Sequence, residues 1–174
     1  MLWVTRCRIR VNRAATGWLV RRFIDPSAQF KFVHPDEVAR IQLQENGLGF
    51  DAPGARYPHQ DSAGRCSFEL LVQQCLPCDR ALGHLAQLVH WADFPQEMER
   101  SWWPAPPALG SFDRISGAPL GRERDARTAM VEAVGLRAIS YGFPLACADD
   151  HETLEKSGFL YDALYASLQD RLGR

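Results

Sequence analysis

The stretch LWVTRCRIRVNRAATGWLVRRFIDPSAQFKFVHPDEVARIQLQENG, residues 2–47, decides the fold, because its apolar spacing changes period three times. Residues 2–6, LWVTR, alternate and are rich in β-formers, which predicts a short strand. From Asn12 the pattern shifts: Ala15, Trp18, Leu19 and Phe23 recur at helical spacing. That helix is expected to stop before Asp25-Pro26, since a proline disfavours helical backbone at the residue preceding it. QFKFVH, residues 29–34, reads as a second strand. PDEVARIQLQENG then puts proline first, acids in the opening turn and Gly47 at the close, the start and stop signals of a helix. Strand, helix, strand, helix marks an α/β or α+β beginning.

Working outward, residues 49–65, GFDAPGARYPHQDSAGR, are dense in turn formers and read as a loop with room for one short strand. CSFELLVQQCL and CDRALGHLAQLVHWAD follow as two helices, the second with Leu82, Leu85, Leu88 and Val89 facing inward. Residues 94–120 carry Pro95, Pro104, Pro106, Pro107 and Pro119 around the pair Trp102-Trp103, a pattern expected of a lid or binding loop. A helix resumes from Arg122 to Tyr141. The last runs from about Asp150 to near Leu172, with Leu154, Gly158, Tyr161, Tyr165, Leu168 and Leu172 as its inward stripe. The expectation is an α+β fold, mainly helical, with a small N-terminal β-sheet, forming one domain over residues 1–174.

Bulk properties exclude several classes. A net charge of −1 over 174 residues gives the chain no overall attraction for nucleic acid or anionic lipid. Apolar runs fall short of the roughly 18 residues a membrane span needs. Arginines in MLWVTRCRIR sit where a secretory signal would be apolar, so a cytoplasmic location is expected. The five cysteines are odd in number and scattered, which fits free thiols better than a disulfide framework.

Four ionisable groups crowd the mouth of the last helix, Asp149-Asp150-His151-Glu152. Asp149 and Glu152 have the spacing of a capping box, yet a cap needs one acceptor, and the remaining like charges call for a cation, an arginine or a proton. His59 lies in the turn-rich loop near Cys66 and Glu69, and imidazole, thiolate and carboxylate are donors that borderline divalent metals accept. His90 and Asp93 stand three apart on one helix and share a face. The pair Cys75 and Cys78 forms one CxxC, but between two helices, unlike a redox motif that follows a strand. Arginines dominate the first 32 residues, Arg6, Arg8, Arg10, Arg13, Arg21 and Arg22 against Asp25 alone, and guanidinium groups bind oxyanions by forked hydrogen bonds. Pairing with acids elsewhere in the fold is the alternative use for them.

These residues also carry a resemblance. WVTRCRIRVNRAATGWLVRRFIDPSAQFKFVHPDEV, FDAPGARYPHQDSAGRCSFELL and DDHETLEKSGFLYDALYASL are similar to the opening, middle and closing motifs of the C-terminal domain of the chromate-resistance protein ChrB family. The resemblance implies a part in chromate resistance or response. Full-length members carry a further N-terminal region associated with regulation, whereas this chain starts almost at the WVTR motif, and residues 94–120 look longer than the usual loop. The matched polar positions are Arg6, Arg13, Arg21, Arg22, Asp25, His59, Cys66, Glu69, Asp93, Asp149, Asp150, Glu155, Tyr161 and Asp162.

The expected site is a charged pocket between the basic first helix, the His59 loop and the start of the last helix. His59, Glu69, Asp93 and Asp150 are its candidate ligands for a divalent Fe, Mn or Zn ion. Arg13, Arg21 and Arg22 are the candidate anion binders, and Trp18, Trp102, Trp103 and Tyr161 are expected to line or cover it. Two further readings stand beside this one: a metal-dependent enzyme acting on a small anionic substrate, its catalytic residues open, and a DNA-binding regulator, with nucleic acid not expected for this domain alone.

Overall fold

Alternation along LWVTR sends Trp3 and Val4 to opposite faces of β1 (Leu2–Arg6), and each face meets its own apolar layer. Trp3 joins the main core, while Val4 packs with Val38, Ile41 and Ala52 on the other side. The computed structural model describes residues 1–97 and 123–173, without the side chains of 123–127. In it β1 is the centre of a three-stranded parallel sheet of order β2-β1-β3. β2 (Gln29–Val33) pairs from Leu2↔Gln29 to Arg6↔Val33, and β3 (Leu48–Gly49) pairs at Trp3↔Leu48 and Val4↔Gly49. Burial on both faces is what a parallel sheet covered by crossover helices requires.

The first crossover is α1 (Val11–Leu19), which continues as a wider π-helical turn over Val20–Ile24 and closes with the Asp25 amide on the Val20 carbonyl at 2.7 Å. The single helix expected from Asn12 to Asp25 thus changes pitch before the proline. The second crossover is a 3-10 turn, Pro35–Glu37, running into α2 (Val38–Gln44). Beyond β3 come α3 (Ser67–Cys75), α4 (Arg80–Asp93), α5 (Glu123–Ala146) and α6 (Asp150–Leu172). The fold is α+β and mainly helical, as the periodicities predict. α5 runs past the expected end at Tyr141 and holds Pro144 in its last turn.

One continuous core joins the sheet to the helices. Trp18 of α1 is 4% exposed and packs edge-on to Phe23 and Tyr165 and tilted against Tyr161. Leu154 of α6 lies over Gly17, where an added Cβ would come within 2.7 Å of a leucine methyl, so any larger residue there would require the Leu154 side chain to shift. Burying a side chain such as Leu154 contributes about 2 kcal/mol. Polar contacts tie the same helices: Tyr161 donates to the Val11 carbonyl at 2.9 Å, and the Trp18 indole donates to Asp162 at 3.0 Å. Trp18 and Tyr161, expected to line or cover the pocket, are buried core residues with satisfied polar ends. Trp102, Trp103 and all of the expected lid beyond Glu97 lie outside the described residues. Among the described residues no helix is long and apolar enough to cross a membrane.

Candidate functional site

β1 ends at Arg6, and β3 leads through Phe50 into Asp51, so both strands deliver polar side chains to the carboxyl edge of the sheet. That edge is where open parallel sheets gather ligands. Asp51 adopts a left-handed backbone, φ 51°, a conformation Asp tolerates because its short side chain bonds locally. Its carboxylate is 1% exposed and collects four donors. Oδ1 accepts from Asn12 Nδ2 at 2.9 Å and from His59 Nδ1 at 2.5 Å. Oδ2 accepts from Arg6 Nη2 at 3.1 Å and from Arg13 Nη1 at 3.2 Å. Arg6 Nε also donates to the Asp51 carbonyl at 2.7 Å.

Burial alone would raise the Asp51 carboxyl, but the His59 hydrogen bond and the charges of Arg13 and Arg6 outweigh it and hold the group below the usual carboxylate range. The same bond lifts His59 above an ordinary histidine, against partial burial. Arg13 is lowered by burial, with Asp51 opposing.

Asp93, the last residue of α4, faces this group. Its Oδ2 is buried, makes no hydrogen bond among the described residues, and stands 3.7 Å from His59 Nδ1. Burial and the neighbouring Asp51 charge push its carboxyl up to about 6, although His59, Arg13 and Arg6 pull the other way. Asp51, His59 and Asp93 each offer a ligand atom, all within 4.8 Å of one another.

A second cluster lies deeper. Cys66 caps α3: its amide donates to Glu69 Oε2 at 2.8 Å while its thiol faces the Glu69 amide, a capping box built on cysteine. Glu69 Oε2 is also 2.7 Å from His90 Nδ1. Across the same ring, His90 Nε2 is 3.0 Å from Glu97 Oε2, and Gln60 donates to Glu97 Oε1 at 2.9 Å. Cys66, Glu69 and His90 are each 0% exposed, and their ligand atoms again fall within 4.8 Å. The Phe94 ring stands 4.9 Å from the centroids of both His59 and His90.

Of the expected ligands, the fold brings His59 and Asp93 together, puts Glu69 in the deeper cluster and takes Asp150 elsewhere. Asp150 Oδ2 and Oδ1 accept the backbone amides of Arg8 and Ile9 at 2.8 and 2.7 Å, so its carboxylate is spent as a tether. Asp149 caps α6, accepting the Glu152 amide at 2.8 Å, and Glu152 returns to the Ala148 amide: the crowded turn is a cap. Of the expected anion binders only Arg13 reaches the site. Arg21 lies over the Phe30 ring, and Arg22 pairs with Asp162 at 3.4 Å. His90 and Asp93 share a helix face, yet each serves a different cluster.

Asp51 and Asn12 were not singled out by sequence reasoning, and Arg6 was named among the basic and matched positions but not among the three candidate anion binders. Asn12 and Thr16, four apart on the buried face of α1, are the signal that could have found them, since a polar pair on an apolar stripe needs partners. Asn12 Oδ1 takes the Phe68 amide and the Ser67 hydroxyl, both at 3.2 Å, while its amide goes to Asp51.

The family model described as ChrB, C-terminal domain, matches residues 3–105. Protein ChrB of Cupriavidus metallidurans (strain ATCC 43123 / DSM 2839 / NBRC 102507 / CH34) is 31% identical over 164 residues, which cover 94% of this chain and 39% of that protein. The chain thus spans about two fifths of that relative's length. No solved structure matches the chain. With the matched segment covering β1 through α4 and both clusters, the chain belongs to the family of the ChrB C-terminal domain.

Proposed function

We propose that this chain is a chromate-resistance domain of the ChrB type that binds a divalent cation through Asp51, His59 and Asp93, and a small dianionic oxyanion beside it. The observation that carries the reading is Asp93 Oδ2, a buried carboxylate oxygen with no hydrogen bond among the described residues, aimed at an imidazole and a second carboxylate. Two buried carboxylates this close repel unless a proton or a cation stands between them. One imidazole and two carboxylates suit iron, manganese or zinc. In the ion-free protein the proton on His59 Nδ1 stands where the cation would.

Charge supports the second half. The two carboxylates and the guanidinium groups of Arg6 and Arg13 cancel, so a bound dication leaves two positive charges for a dianion to neutralise. Tetrahedral oxyanions such as chromate and sulfate carry that charge, and guanidinium forks match their oxygens. Elemental analysis of protein purified without chelator or histidine tag tests this: wild type is expected to hold the ion, and His59→Ala and Asp93→Ala to fold but lose it. Chromate titrated by calorimetry is expected to bind the loaded wild type and not the metal-free protein. Wild type that contains no metal and takes up none on titration sinks the proposal.

A further inference from the structure

The geometry points to a second metal centre, of the thiolate-containing kind, at Cys66, Glu69 and His90. It stands apart from the reading above, because none of these three residues belongs to the Asp51 group. All three side chains are completely buried, a setting in which ionisable groups occur only when paired or bound to metal. Their donor set is sulfur, oxygen and nitrogen, which zinc accepts in three-ligand sites that keep a fourth position open.

Three further observations fit. First, the His90 ring is oriented from behind: Nε2 is 3.0 Å from Glu97 Oε2, and Gln60 fixes the other oxygen of Glu97. A carboxylate on the far nitrogen is the usual support of a metal-binding imidazole, and it leaves Nδ1 turned toward Glu69 and Cys66. Second, Cys66 sits at the N-terminus of α3, where the helix dipole favours a thiolate. Third, the charge balances. Thiolate, carboxylate, neutral imidazole and a dication sum to zero, so the loaded ligand set carries no net charge in this dry site. Burial, with the neighbouring Glu69 charge, holds the free thiol well above the ordinary cysteine range. Among the four residues Glu97 has the exposed edge, which marks the entry.

Cobalt(II) tests the assignment, because a thiolate ligand gives it a charge-transfer band in the near ultraviolet that oxygen and nitrogen ligands do not. Metal-free wild type is expected to take two ions per chain and to show the band. The band is expected to survive when Cys7, Cys75, Cys78 and Cys147, none of them fully buried, are all changed to serine, and to vanish with one of the two ions in Cys66→Ser. Glu97→Gln is expected to weaken binding of that ion by about 10- to 100-fold while the band stays. His59→Ala removes the other ion and leaves the band, so failure of one centre is read separately from failure of the other. Loaded wild type without the band, or a band lost in the four-serine variant, overturns the assignment whether or not Cys66→Ser folds.

Discussion

Asp93 shows how one side chain carries both a cost and a use. Its carboxyl sits near 6 in the folded protein, against an ordinary value of 3.8. Between those values the folded state holds a proton that the unfolded chain has released. Stability of the metal-free protein therefore falls as pH rises from about 4 to about 6, by up to about 3 kcal/mol. His59, raised by Asp51, adds a further fall once pH climbs past the ordinary histidine range toward its own higher value. Asp93→Asn is expected to flatten the lower part of that decline, read from urea midpoints at about pH 4 and about pH 7. An unchanged slope would show that the carboxyl is not strained. The sequence made His59 and Asp93 legible as candidates through residue type, the loop around His59, the helical spacing of His90 and Asp93, and the family resemblance. It hid Asp51, because nothing local distinguishes an aspartate that closes a turn from one that receives four donors from segments 8 to 45 residues away.

Among the elements, the start of α6 was the hardest to read. The spacing of Asp149 and Glu152 gave the cap, which the structure shows, while the surplus charge put Asp150 among the metal ligands, and the fold uses that carboxylate on backbone amides as well. Two charge-assisted hydrogen bonds hold the Arg8–Ile9 turn to Asp150, and Arg8 there adopts a left-handed φ of 57°. Asp150→Ala is expected to cost about 2 kcal/mol in stability and to leave metal content unchanged, checked by denaturation and elemental analysis on one preparation. Loss of metal with intact folding would return Asp150 to the ligand set. By contrast β1, α1, β2 and α2 follow their periodicities closely, since apolar spacing and turn residues are local signals. The π-helical turn at Val20–Ile24 is not written in any spacing: it adjusts the last turn so that Val20 and Phe23 reach the core before Pro26.

At the scale of the molecule, both clusters bind α4 to the loop that precedes α3, so ions in them clamp parts of the chain that the sequence separates. Loading with zinc at about 100 times Kd is expected to add about 2.7 kcal/mol per site, removable by chelator. The gain is expected to be larger at pH 8 than at pH 6, because thiol, imidazole and carboxyl must each lose a proton to bind. A thermal shift that does not respond to metal at either pH would leave these clusters as ordinary ion pairs. The tether from Asp150 to Arg8 and Ile9, with Tyr161 on the Val11 carbonyl, also joins segments that lie 141 to 150 residues apart in the chain. The side of α1 that meets α6 is completed only by residues some 150 positions further along the chain, so this seam requires long loop closures that slow folding, whereas α3 and α4 cover the rest of the helix from nearer segments.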